Sequence, residues 1–194
     1  MNDLSDIQLL QQFRQAPADA PGAALRQQIF KVLVVRYQKK LYWHIRRMLM
    51  DHDDTDDVLQ NTFIKVWRAL DGFKEDAQLY TWLYRIATNE TLSFIRQRKA
   101  DLQVRYGDVE HSIESKLQDD NFFRGDEIQK KLQLAIQTLP EKQRLVFNMK
   151  YFEEMRYEDM SAVLDTSVGA LKASYHHAVK KIEAYIRSTS QAMS

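Results

Sequence analysis

Six apolar side chains fall four residues apart along one stretch of the chain: Ile29, Leu33, Tyr37, Leu41, Ile45 and Leu49. This is helical spacing, and it predicts one long helix across 23–50. A chain that contains such an element still needs turns wherever it has strands. With only 5 glycines and 3 prolines in 194 residues, turn chemistry is too scarce for a strand-rich fold, so the expected class is all-α. No apolar run reaches membrane-spanning length, and the opening "MNDLSDIQ" does not read as a signal peptide. The absence of cysteine excludes disulfides, thiol nucleophiles and cysteine-rich zinc sites. It fits a cytoplasmic protein without membrane insertion.

The remaining segments extend the helical reading. "LSDIQLLQQFRQ" is a short amphipathic helix, ended by the Pro17–Pro21–Gly22 stretch. "TDDVLQNTFIKVWRAL" starts a new helix, with Thr55 or a nearby aspartate as cap and Asp56 and Asp57 favourable in its first turn. Asp71–Gly72 ends it, and the loop "GFKEDAQ" leads into "WLYRIATNETLSFIRQRK". That helix begins with core residues and ends in a basic run. Between them lie Thr88, Asn89, Thr91 and Ser93, poor choices for a helix that only has to pack.

The formal net charge is only +1, but charge comes in blocks. Arg36, Lys39, Lys40, Arg46 and Arg47 form a basic stretch, and residues 85–105 form another. Residues 101–128 then carry eight acids against three bases, with little apolar pattern. The last helix is basic again through Lys172, Lys180, Lys181 and Arg187. The expected organisation is a helical domain over 1–100, an acidic flexible linker over 101–127, and a second helical domain over 128–188.

The sharpest local pattern is "YEDMSAVLDTSVGALKASYHHAVKKIEAYI". Met160, Val163 and Leu164 face inward from one helix, residues 165–169 turn, and Ser167 is placed to cap the next helix. Leu171, Tyr175, Ala178 and Ile182 form the inner stripe of that second helix. This is helix-turn-helix spacing, which sets a second helix into the DNA major groove. The opposite face carries Lys172, Ala173, His176, His177 and Lys180, a pattern that also fits a surface helix with a solvated basic face.

Two features imitate metal sites. A calcium loop starting at Asp51 needs glycine at its sixth position and glutamate at its twelfth; the chain has Asp56 and Thr62 there. His176 and His177 are adjacent on a helix, so they point about 100° apart, and no i+4 partner follows. Nucleophile elbows, phosphate-binding glycine loops and paired zinc histidines are absent from the sequence. The expectation is therefore no enzyme, no catalytic residue, no metal and no cofactor.

"TDDVLQNTFIKVWRALDGFKEDAQLYTWLYRIATNETLSFIRQRK" resembles region 2 of the extracytoplasmic-function (ECF) sigma factors, and "LPEKQRLVFNMKYFEEMRYEDMSAVLDTSVGALKASYHHAVKKI" resembles their region 4. The motifs come in the family's order and cover roughly half the chain. The resemblance implies a sigma region 2 bundle and a region 4 helix-turn-helix joined by a flexible linker. It implies a dissociable, non-catalytic factor that binds core RNA polymerase, recognises the −10 and −35 promoter elements and helps open the DNA. It implies partners in the beta-prime coiled coil and the beta subunit, in promoter DNA, and in an anti-sigma factor linked to the membrane. In the family the linker threads polymerase channels.

Site residues follow from the matched motifs. Asp57, Gln60, Asn61 and Phe63 fall where the family docks on the beta-prime coiled coil; many relatives have glutamate in place of Asn61. The −10 reader falls on Phe73, Lys74, Tyr80, Arg85, Thr88, Asn89, Ser93 and Arg96, with residues 73–78 in the loop that holds a flipped-out base. Phe73 and Tyr80 are candidates for stacking on unpaired bases, the arginines for phosphate, and Asn89 for a base edge. Many relatives have aspartate in place of Ser93. The −35 reader falls on Tyr157, Ser167, Lys172, Ala173, His176, His177 and Lys180. Relatives often read "VKSRLHRARK" where this chain has "LKASYHHAVK"; Ser174 and His177 stand in place of typical arginines, which predicts weak −35 binding by this half alone.

Two other functions fit parts of the chain. A plain helix-turn-helix factor that works without polymerase explains 129–186 but not 53–99. The other is a helical adaptor with its basic faces merely solubilising, which absence of any nucleic-acid or polymerase association would favour.

Overall fold

The computed structural model describes residues 3–17, 19–73, 78–106 and 127–191. The described residues form eight α-helices and a short 3-10 turn, with no strand among them. The N-terminal half contains α1 (Asp6–Gln15), α2 (Ala20–Leu49), α3 (His52–Ala69), the turn Leu70–Gly72, and α4 (Leu79–Tyr106). The C-terminal half contains α5 (Glu127–Gln137), α6 (Glu141–Tyr151), α7 (Tyr157–Leu164) and α8 (Val168–Gln191). α4 therefore runs six residues into the segment expected to be linker, and residues 107–126 lie outside the described residues.

Capping sets the starts of these helices. The Ser5 hydroxyl accepts the Gln8 amide while the Gln8 side chain accepts the Ser5 amide, a reciprocal box. Asp19 accepts the Gly22 amide at 2.8 Å, and Pro21 sits in the first turn of α2. α1 has already ended at its cap Ala16, so Pro21 and Gly22, expected to end that helix, instead belong to the first turn of α2. Asp51, rather than Thr55, caps α3 by accepting the Asp54 amide at 3.1 Å, so Asp53 and Asp54 occupy the favourable first turn. The aspartate cluster is a helix start.

Gly22 is required by a close approach. A Cβ there would lie 1.9 Å from the Pro17 carbonyl oxygen, which is backbone and cannot rotate away. Gly22→Ala is expected to destabilise the protein by about 1–2 kcal/mol by displacing the connection between α1 and α2. Urea denaturation with an unchanged slope and a lowered midpoint would show it.

α2, α3 and α4 pack on one another, with α1 laid across α2. Ile29, Leu33, Tyr37, Leu41 and Ile45 are all buried, as their spacing predicts. Full burial of each such side chain contributes about 1.5–3 kcal/mol. In the C-terminal half α8 packs against α5, α6 and α7, with Ala135, Ile136, Leu139, Phe147, Ala178 and Ile182 in a second cluster. The halves also meet: α4 packs on α7 and α2 on α6, and the larger core cluster runs from Leu9 through Ala87 to Met160 and Leu171.

Candidate nucleic-acid interface

The polar residues inside α4 divide into two sets. Thr88 and Thr91 point inward and are buried. The Thr91 hydroxyl donates to the Ala87 carbonyl at 2.8 Å, while Thr88 lies 2.8 Å from His44 Nε2. Both hydroxyls are satisfied within the bundle, so a helix built to pack can carry them. Arg85, Asn89, Ser93 and Arg96 lie on the outer face and are exposed. Asn89 makes no side-chain hydrogen bond among the described residues. Arg96 donates to the Leu92 carbonyl at 3.2 Å and to Ser93 Oγ at 3.3 Å, which aligns its guanidinium along this stripe.

The aromatic candidates are placed differently. Phe73 is buried, its ring 4.9 Å from that of Trp82, and Arg14 donates to its carbonyl. In this arrangement its face is spent on the core and is closed to a base. Tyr80 is half-buried with its ring 4.5 Å from Tyr84. Burial first, then the charge of Glu153, pushes its hydroxyl up to about 12. Thr88, likewise, is turned into the bundle and is closed to solvent. Lys74 and the rest of 74–77 lie outside the described residues. The sequence showed aromatic and hydroxyl residues in sequence order, but not which side of α4 each would take.

On α3, Asp57, Gln60 and Asn61 are exposed, while Phe63 is half-buried edge-on to Phe30 at 6.3 Å. The same outer face continues into two residues that the motif reading did not single out, Ile64 and Trp67, which are 41% and 38% exposed. Val35 on α2 is 61% exposed. A shallow groove lined by Gln27, Phe30, Lys31, Val34 and Trp67 runs between α2 and α3. Trp67 is held edge-on by Phe30 and Phe13 at 5.0 and 5.9 Å, so its exposed edge is rigidly presented. The available signal was an excess: α3 carries apolar residues over more of its circumference than one buried face uses.

The helix-turn-helix is formed by α7 and α8. α7 ends at Asp165 in the left-handed region, φ 50°, and Ser167 caps α8 by accepting the Ala170 amide at 3.3 Å. Leu171, Ala178 and Ile182 are buried and Tyr175 is half-buried. Lys172, Ala173, His176, His177 and Lys180 share the exposed face. The Lys172 ammonium sits 5.7 Å from the Tyr157 ring centre, linking the start of α7 to this face. Among the described residues no three His, Asp or Glu side chains gather as metal ligands, and no helix is long and apolar enough to cross a membrane.

The described residues thus form one helical unit with an exposed Arg–Asn–Ser–Arg stripe and one with a helix-turn-helix whose second helix has a basic outer face. Residues 33–100 match the Sigma-70 region 2 family and residues 129–182 match Sigma-70, region 4. The chain is 33% identical over 162 residues to the RNA polymerase sigma-H factor of Pseudomonas aeruginosa, covering 79% of this chain and 84% of that one. It is 30% identical to the ECF RNA polymerase sigma-E factor of Escherichia coli, covering 81% and 86%. Its fold is similar to the sigma factor RpoE of Bartonella quintana, solved with the anti-sigma factor NepR, at TM-score 0.69 over 81% of this chain and 96% of that one, with 23% identity. It is also similar to CnrH, solved with the cytosolic domain of CnrY, at TM-score 0.66 over 94% and 97%, with 24% identity. The chain belongs to the ECF sigma factors and is a promoter-specific transcription initiation factor.

Proposed function

We propose that α3 docks on core RNA polymerase through Asp57, Gln60 and Asn61 together with Ile64 and Trp67, and that the outer face of α4 reads the −10 element. The observation that carries this reading is the stripe Arg85, Asn89, Ser93 and Arg96, exposed along a helix whose other side is buried. Arginine supplies phosphate contacts and asparagine a bidentate base edge. The exposed face of α8 contacts the −35 element, with fewer strong guanine ligands than an arginine-rich helix would offer. The protein acts in the cytoplasm and has no catalytic activity of its own; polymerase performs the chemistry. One structural neighbour was solved with the anti-sigma factor NepR and the other with the cytosolic domain of CnrY; the first supports an anti-sigma factor as a partner here as well.

Arg85→Ala and Arg96→Ala test the phosphate role. Each variant is expected to weaken promoter binding by the holoenzyme about equally on every −10 sequence and to reduce the salt slope by about one. Binding measured across a salt series checks this; a sequence-dependent loss with an unchanged slope would remove the phosphate role.

A further inference from the structure

The turn between α6 and α7 carries Glu153 from the C-terminal half into the N-terminal bundle. Its side chain is 6% exposed, and His44, its partner on α2, is 1% exposed. Glu153 Oε1 lies 2.9 Å from His44 Nδ1 and 3.7 Å from Arg47 Nη1. A carboxylate only accepts, so Nδ1 donates to it; in the neutral ring the Thr88 hydroxyl on α4 then donates to Nε2. Thr88, His44 and Glu153 thus form one relay across α4, α2 and the α6–α7 turn. Arg47 lies over the Phe152 ring at 4.7 Å, and its carbonyl accepts from Asn148 at 3.5 Å. Burial pushes the Arg47 guanidinium below its ordinary range, against the opposing pull of Glu153. The turn itself is fixed: Glu154 takes φ 51°, the Met155 amide bonds the Met149 carbonyl at 3.1 Å, and Lys150 bonds the Met155 carbonyl at 3.2 Å. A second, exposed pair, Lys99 with Glu141 at 3.2 Å, also joins the halves.

This packing conflicts with the span of a promoter. The −10 and −35 elements are separated by about 25 base pairs, or about 85 Å of duplex. A compact chain of this length has a radius of gyration of about 16 Å. The two DNA-facing helices cannot reach both elements while the halves are packed together.

We propose that Glu153 is a latch that holds the free chain closed and leaves its seat on His44 and Arg47 when the protein engages a promoter. The need to open rests on the two-element reading of the function; the latch itself does not. In the closed state Glu153 Oε2 is buried without a hydrogen-bond partner among the described residues. The open state relieves that cost by hydration, which keeps closure reversible. Removing the carboxylate leaves the buried His44 Nδ1–H without its acceptor and the partly buried Arg47 guanidinium without its counter-charge, so the substitution acts against the closed state alone.

The chain has no cysteine, so spin labels can be placed at Asp56→Cys on α3 and Glu183→Cys on α8, both exposed positions. Distance distributions by pulsed electron resonance are compared for the full-length free protein, Glu153→Gln and Glu153→Ala, with circular dichroism alongside. The parent should show one predominant short distance. Both variants should stay helical and shift the closed-to-open ratio roughly tenfold or more toward long distances. If Glu153→Ala loses helicity, the near-isosteric Glu153→Gln decides. A folded variant with the parent distribution, or a parent that is already mostly open, overturns the latch. The measurement needs no polymerase. Failure of the function reading would appear separately, as absence of promoter-specific transcription from a chain that still opens and closes as described.

Discussion

Replacing Ile64 and Trp67 together by alanine is expected to weaken association with core RNA polymerase by roughly 30- to 1,000-fold, about 2–4 kcal/mol. Large, rigid, partly exposed aromatic residues dominate protein–protein binding energy because they bury much area at little entropic cost. Trp67 fits that description: Phe13 and Phe30 fix its ring edge-on, and Ile64 lies one turn away. Gln60 and Asn61 continue the same exposed face and would set register by hydrogen bonding. Phe63 is different, since its ring packs on Phe30; Phe63→Ala should lower the melting temperature first and binding only as a consequence. Titration of labelled core polymerase, with circular dichroism of each variant, separates the two. A double variant that stays helical and binds core as tightly as the parent would place the docking surface elsewhere.

Asn89→Ala is expected to cost roughly 1–3 kcal/mol on the preferred −10 sequence and far less once the base it reads has been changed. The side chain is exposed and makes no hydrogen bond among the described residues, so its loss leaves the bundle intact. Were Asn89 a structural residue, its removal would lower the melting temperature and reduce open-complex formation equally on every −10 variant. The check is a panel of single-base −10 substitutions scored for open-complex formation with parent and variant holoenzyme. A uniform loss across the panel would rule out base reading by Asn89.

Much of this was legible in the chain itself. The four-residue apolar spacing from Ile29 to Ile45 became the buried side of α2. Ser167 caps the recognition helix as its position suggested, and Leu171, Ala178 and Ile182 line the inner side of α8. These features are local: spacing and capping act within one helix, so one helix's sequence contains them. What depends on contacts distant in sequence was not legible. Phe73 is held by Trp82 on the following helix and by Arg14, 59 residues away, and Thr88 is claimed by His44, 44 residues away. The seat of Glu153 on His44 joins residues 109 positions apart, and no periodicity encodes it. Ile64 and Trp67 were not singled out in a helix rich in apolar residues, because only packing shows which part of an apolar circumference is left uncovered.

The decisive experiment is reconstitution of purified protein with core RNA polymerase on the DNA upstream of its own gene, scored for transcripts with a defined start. A defined transcript is expected only when protein and core are combined, reduced by Asn89→Ala in a base-dependent manner, with weak binding of the duplex by the protein alone. Tight, sequence-specific binding of that duplex without polymerase, and no defined transcript with it, would contradict the account and point to a helix-turn-helix factor that works independently of polymerase.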